Sequence, residues 1–319
     1  MSIRLTAKET ADWLVERDNF LILTHRRPDG DTLGSAGGLA MGLREIGKTV
    51  YVLENEEATP RYAPYVNDFW APKGYAFDHI ISIDTASSAL FTQNAKDYRN
   101  RVSLSIDHHR SNTEYAEYLC LDDKAAACGE LVYEIATLLT DTITRDLAIR
   151  LYVAVATDTG CFSFGNVTAN TFAVASKLVE TGIPVAEINK KLFRSRSRGR
   201  VRLEGLLTSG LEFFFDGQLA IATITADMIE SSDATEDDMD NIADVASGID
   251  GVKMGITIRE LTAPDDCKIS VRSIEPYDSN AVCKFFGGGG HKSAAGSIIK
   301  KPVEEIKALL LEVTRGIFS

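Results

Sequence analysis

Three apolar runs in the first 110 residues end in acidic or imidazole side chains. Phe20-Leu21-Ile22-Leu23 leads into Thr24-His25-Arg26-Arg27-Pro28-Asp29-Gly30-Asp31-Thr32-Leu33-Gly34-Ser35. His79-Ile80-Ile81-Ser82-Ile83 ends at Asp84-Thr85-Ala86-Ser87, and residues 101–106 end at Asp107-His108-His109. Runs of this kind, separated by longer and partly helical connections, predict a parallel sheet. Such a sheet directs the carboxyl ends of its strands to one edge, where open α/β folds bind ligands. Asp29 and Asp31, two apart, point to one side in extended backbone. Carboxylates held close together do not both stay ionised without a strong cation between them, and hard oxygens mixed with imidazole suit a manganese- or magnesium-like ion. The same Pro-Asp-Gly sequence also reads as a turn capping a helix, which leaves His25 without a role.

The rest of the chain frames this pattern. Its 319 residues suggest two domains with ample length for a core. The net charge of −12 argues against wrapping long nucleic acid, which needs clustered cations; small anionic substrates at a local, metal-loaded site remain compatible with it. Cys120, Cys128, Cys161, Cys267 and Cys283 form no CxxC pair, which fits a reduced compartment. The start has no secretory h-region, and the longest apolar candidate, residues 147–157, is short for a membrane span and contains Arg150. The expectation is a soluble, cytoplasmic protein.

Helices are expected over residues 6–18, 32–46, 128–139, 147–156, 168–180 and 185–193, and further strands over 48–53 and 118–121. The second helix is rich in small residues (Gly34, Ser35, Ala36, Gly37, Gly38, Ala40), which predicts close backbone packing or close approach of a ligand to its start. Residues 190–202 carry seven cations and no acid, read as a solvated interdomain connection with a secondary reading as an attractor of anionic substrate. Beyond it, strands at 211–215 and 218–224 flank the hairpin signal Asp216-Gly217. A helix at 243–247, strands at 252–258 and 267–271 and a final helix at 303–313 complete a smaller α+β domain. The domains are therefore drawn as a catalytic domain over 1–185, a basic linker over 186–204 and a substrate-binding domain over 205–319, with the active site in the cleft between them.

Four clusters carry the chemistry: His25/Asp29/Asp31, Asp84, Asp107/His108/His109 and Asp158, the last in Thr157-Asp158-Thr159-Gly160-Cys161-Phe162. Singly, Asp84 could start a turn and Asp158 could end a helix. Together they suffice for two metals sharing one bridging carboxylate. Two metals roughly 3.5–4 Å apart clamp the attacking and leaving oxygens of a phosphoryl displacement, with a hydroxide between them as the natural nucleophile. Separately, Gly287-Gly288-Gly289-Gly290 before His291 could close backbone N–H groups around an anion as a nest, or form a flexible loop before the last strand.

These motifs resemble those of the DHH phosphoesterase superfamily over essentially the whole chain. His25-x-x-Pro28-Asp29-Gly30-Asp31-x-x-Gly34-Ser35, Asp84-Thr85-Ala86-Ser87, Asp107-His108-His109 and Thr157-Asp158-Thr159-Gly160-x-Phe162 match its four catalytic motifs in order. Residues 287–291 match the glycine-rich signature of the associated C-terminal domain. The chain is most similar to the stand-alone bacterial nanoRNase type, oligoribonucleases that are also 3′-phosphoadenosine-5′-phosphate phosphatases. The resemblance implies a parallel-sheet α/β catalytic domain and a cofactor of two divalent ions, manganese or else magnesium. It implies that His25, Asp29 and Asp84 hold one ion and that Asp31, Asp84, His108 and Asp158 hold the other. Asp84 bridges, Asp107 orients an imidazole, and His109 touches the scissile phosphate or leaving group. Arg272, Gly288, Gly289, Gly290 and His291 are implied as substrate-binding residues, the guanidinium suiting phosphate or a base. Substrates would be RNA of two to five nucleotides and 3′-phosphoadenosine 5′-phosphate, with no long duplex, no membrane and a homodimer as the implied assembly. The alternatives are a cyclic di-AMP or pApA phosphodiesterase, a pyrophosphatase or polyphosphatase, and a metal-dependent nucleotide-binding module without turnover. The chain lacks the Ser-Arg-Lys-Lys type signature of the pyrophosphatases.

Overall fold

In the computed structural model, which describes residues 2–239, 241–261 and 265–318, the chain divides into two units at Ser195–Arg196. The first contains, in order, β1 (Ile3–Arg4), α1 (Ala7–Val15), β2 (Phe20–Leu23), α2 (Gly30–Glu45), β3 (Val50–Val52), β4 (His79–Ile83), β5 (Leu104–Asp107) and β6 (Tyr118–Leu121). Four helices follow: α3 (Cys128–Leu139), α4 (Arg145–Asp158), α5 (Ala169–Glu180) and α6 (Val185–Asn189). All six strands are parallel, in the order β1-β6-β5-β4-β2-β3. From β2 the chain steps outward to β3, then returns to β4 on the other side. The winding therefore reverses between β2 and β4, and the carboxyl ends of those two strands flank the crevice where ligands of doubly wound sheets bind.

The strands are apolar because both faces are covered. Phe20 and Ile22 of β2 join Ile81, Ile83, Leu104 and Ile106 in one core with α1, α2, α3 and α4. Leu21, Leu23 and Ile80 face the other way into a smaller cluster with Phe91, Ala95 and Val102, so this face is covered by loops and short helical turns. The small residues of α2 serve backbone approach. An added Cβ at Gly34 would stand 2.5 Å from the Arg150 carbonyl oxygen of α4, and one at Gly38 would stand 2.6 Å from a Leu151 methyl. That closeness brings the start of α2 beside the end of α4.

The second unit holds α7 (Arg198–Ser209), β7 (Glu212–Phe214), β8 (Leu219–Ile224), α8 (Ala226–Ser232), α9 (Asp244–Ser247), β9 (Met254–Glu260), β10 (Asp266–Ser273), α10 (Ser279–Phe285), β11 (Gly289–Gly290), β12 (Ala294–Lys300) and α11 (Val303–Phe318). Its six-stranded sheet runs β11-β12-β10-β9-β8-β7 and is antiparallel except between β8 and β9. Leu219 and Ile221 pack on one face with Ile306 and Leu310 of α11, and Ala220 and Ala222 on the other with Leu203 and Leu207 of α7. The stretch read as a linker is helical on both sides of the division: Leu192 is buried in the first core and Leu203 in a core of the second unit. Among the described residues no helix is long and apolar enough to cross a membrane.

Candidate metal centre

The loop after β2 presents His25, Asp29 and Asp31, each fixed by the backbone around it. The Nδ1 atom of His25 lies 2.8 Å from the Arg26 carbonyl oxygen, which places a proton on Nδ1 and turns Nε2 toward Asp84 as the nitrogen available to a metal. That Nε2 is 3.7 Å from Asp84 Oδ2. Asp29 is the N-cap of α2, its Oδ1 accepting the Thr32 N–H at 3.0 Å. Helix capping and membership of the acidic cluster are thus not alternatives for this residue. Asp31 is 1% exposed and accepts the Cys128 N–H at 2.7 Å, the Gly129 N–H at 2.9 Å and the Ser35 hydroxyl at 2.9 Å. It caps the start of α3, where unpaired N–H groups favour a carboxylate.

Asp84 follows β4 in left-handed backbone, φ +52°, a conformation rare for residues with a Cβ. The turn is braced from outside. The Asp84 N–H donates to the Ile106 carbonyl at 2.9 Å, and the Tyr115 hydroxyl donates to the Thr85 carbonyl at 2.8 Å. The Asp84 carboxylate is 2% exposed, and its Oδ1 accepts no hydrogen bond. After β5, His108 Nδ1 faces the Ala125 carbonyl at 3.1 Å, which turns Nε2 toward the acids. Nε2 lies 3.5 Å from Asp84 Oδ1, 3.5 Å from Asp158 Oδ2 and 3.8 Å from Asp31 Oδ2.

Asp107 plays a different part. Fully buried, it accepts the His108 N–H at 2.9 Å and the Asn112 amide at 2.7 Å, and lies 2.8 Å from His109 Nδ1. It orients the His109 ring. The Nδ1 atom of that ring is also 3.5 Å from Asp84 Oδ1. Asn112, Tyr115 and Thr32 escape a reading of the sequence, because their roles arise only from contacts between distant segments.

The charges in this cluster do not balance by themselves. Burial pushes Asp158 up to about 7, where the His108 charge opposes the rise and Asp29 and Asp84 add to it. Burial likewise drives Asp31 well above the usual carboxylate range, with Asp84 and Asp158 as the repelling neighbours. For Asp84, burial is outweighed by hydrogen bonding to His25 and the charges of His108 and His109, and the carboxyl sits near 2. Burial disfavours charge on His25 and His109, yet hydrogen bonding to Asp84 and Asp107, respectively, raises both to about 9. Three sets of ligand atoms converge within 4.8 Å: His25/Asp29/Asp84, Asp31/His108/Asp158 and Asp84/His108/His109. An orphaned buried oxygen, repelling carboxylates and imidazole lone pairs fit a divalent cation.

In the second unit, Arg272 lies on β10 with its Nε 3.1 Å from Asp244 Oδ1 of α9. The expected nest of four glycines is not what the backbone builds. The N–H groups of Gly287 and Gly288 donate to Lys284 and Cys283 at the end of α10, and that of His291 donates to Ala294. Gly289 and Gly290 form the edge strand β11, paired with Gly296 and Ala295. The turn places exposed His291 at its tip. Gly288 is required by the close approach of β12, since a Cβ there would collide with the Gly296 carbonyl.

Residues 19–155 match the DHH family, N-terminal domain, and residues 216–317 match the DHHA1 domain. The chain is similar to the bifunctional oligoribonuclease and PAP phosphatase NrnA of Thermus thermophilus, 28% identical over 281 residues, covering 88% of this chain and 83% of that protein. Its likeness to the protein of the same name from Bacillus subtilis is 25% over 288 residues, covering 88% and 90%. The fold is also that of an exopolyphosphatase-related protein from Bacteroides fragilis, with TM-score 0.87 at 24% identity over 98% of this chain and 97% of the other.

Proposed function

The chain belongs to the DHH phosphoesterase family, carrying its DHH and DHHA1 domains in order, and on that premise we propose that it hydrolyses very short RNA and 3′-phosphoadenosine 5′-phosphate. In this reading His25, Asp29 and Asp84 hold one divalent ion, and Asp31, Asp84, His108 and Asp158 hold a second. Manganese is the ion we favour, with magnesium served by the same donors. Bound there, the ions supply the charge that activates water and stabilises the phosphoryl transition state.

The remaining work falls to the protein. Asp84 joins the two ligand sets, its Oδ2 facing His25 and its Oδ1 facing His108. His109, held by Asp107 and through it by Asn112, donates to the scissile phosphate or the leaving oxygen. Asp31, anchored on the start of α3, keeps its carboxylate fixed without relying on flexible loops. Arg272 and the 288–291 turn contact the substrate's phosphates or base. Arg272 offers a planar fork, and His291 offers a ring at the tip of a turn that Gly288 and Gly290 allow to be tight. A net charge of −12 is consistent with short rather than long nucleic acid, and five unpaired cysteines, four of them buried, suit a cytoplasmic setting.

The observation that carries the reading is the buried Asp84 Oδ1, which has no donor of its own and lies between ligand groups. Replacing Asp84 with Ala is therefore expected to lower Mn2+-dependent hydrolysis of a short RNA by more than the roughly 10–100-fold that loss of an outer partner costs. The far-ultraviolet circular dichroism should stay unchanged. Full activity in D84A contradicts the reading.

A further inference from the structure

Thr32 has no assigned role in the metal centre, yet its hydroxyl lies in the middle of one ligand set. The residue is fully buried. Its Oγ1 is 2.5 Å from His25 Nε2, 2.7 Å from Asp84 Oδ2 and 3.1 Å from Asp29 Oδ1. Those are the three residues of the His25/Asp29/Asp84 group. A threonine hydroxyl carries one proton, and all three neighbours are acceptors once His25 Nε2 is deprotonated, as ligation requires, because the proton His25 keeps is the one on Nδ1 facing the Arg26 carbonyl. One proton cannot satisfy three acceptors, so once His25 has given up its Nε2 proton a positive charge is needed where these atoms converge. Neighbouring ligands of an octahedral ion with bonds of about 2.0–2.1 Å stand about 3 Å apart. The separations from Oγ1 to Asp84 and Asp29 lie close to that spacing.

We propose that Thr32 Oγ1 is a fourth protein donor to the cation of the His25/Asp29/Asp84 set, a neutral hard-oxygen ligand. The proposal rests on the metal reading above. The backbone holds the group in place: Thr32 is in the first turn of α2, and its N–H is tied to the same Asp29 carboxylate. With the oxygen lone pair on the ion, the hydroxyl proton goes to Asp29 Oδ1. The ligand adds a donor without adding charge, which suits a site already rich in repelling carboxylates. It also favours oxygen-seeking ions over thiophilic ones. A role limited to helix capping would need only the contact with Asp29.

The test is Mn2+ binding to the metal-free full chain, followed by titration calorimetry and by the electron paramagnetic resonance of free Mn2+. Thr32→Ala is expected to weaken one class of Mn2+ site by about tenfold or more, while the other class and the melting temperature of the metal-free protein are kept. Thr32→Ser should restore the affinity. Equal affinities in the wild type and Thr32→Ala overturn the proposal and leave the metal reading standing. A wild type that takes up no Mn2+ overturns both. Thr32→Cys gives an independent readout with Cd2+: a sulfur-to-cadmium charge-transfer band beyond that of the wild type is expected, and its absence at saturation counts against direct ligation.

Discussion

At Asp84 the backbone and the side chain are both held in unfavourable states, one left-handed and the other buried with an unmatched oxygen. Such states persist where the surroundings over-determine them, here through Ile106 and Tyr115. The same surroundings set how protons distribute without metal. Unfolded, Asp158 titrates near 3.8 and His25 and His109 near 6.5, whereas the metal-free fold holds their protons up to about 7 and about 9. From about pH 4 to pH 9 the folded chain thus binds more protons here than the unfolded chain, and the contribution of these groups to stability falls as pH rises. Metal binding demands the deprotonated ligands and runs the other way. In chelator, the melting temperature should decline from pH 6 to pH 9, while the increment added by Mn2+ grows. An increment that shrinks over that range would contradict the assignment. The clustering of His25, Asp29, Asp31 and Asp84 is legible because three parallel-type strands each end in acid or imidazole, and such ends meet at one sheet edge. Thr32, Asn112 and Tyr115 are not, since a threonine in the first turn of a helix or a tyrosine in a loop is ordinary until distant segments meet.

The elements that matter most to the centre are α2 and α4, since Asp31 starts one and Asp158 ends the other. Their approach depends on side chains that are missing. At Gly34, a methyl group would stand 2.5 Å from the Arg150 carbonyl and 3.0 Å from the Ala154 nitrogen, both backbone atoms. Gly205 in α7, by contrast, faces open space. Gly34→Ala should destabilise the protein by about 1–3 kcal/mol through overpacking and weaken Mn2+ uptake, whereas Gly205→Ala should stabilise it by about 0.5–1 kcal/mol. Urea denaturation of the two variants checks this; a Gly34→Ala protein as stable as the wild type would refute the packing account. Buried strands and strongly periodic helices were readable from sequence: β4, β6 and α3 lie on the predicted residues. Others were hidden. The exposed pair Ile3–Arg4 becomes a strand only by pairing with β6, and the run of arginines in α7 masks the buried Leu203 and Leu207. The glycines at 287–290 suggested an anion nest, but strand pairing and the end of α10 claim that backbone instead.

The molecule as a whole consists of two units with separate cores; the first gathers the acidic and imidazole groups at a sheet edge, and the second carries Arg272 and His291. The measurement that tests the proposed substrate is hydrolysis by the full-length protein with Mn2+, offered side by side a five-nucleotide RNA, 3′-phosphoadenosine 5′-phosphate, pApA, cyclic di-AMP and pyrophosphate. Cleavage of the RNA and release of the 3′-phosphate, both abolished by chelator, with little turnover of the cyclic compound, is the predicted result. Preference for cyclic di-AMP or for pyrophosphate, or no turnover of any compound with Mn2+ bound, would contradict it.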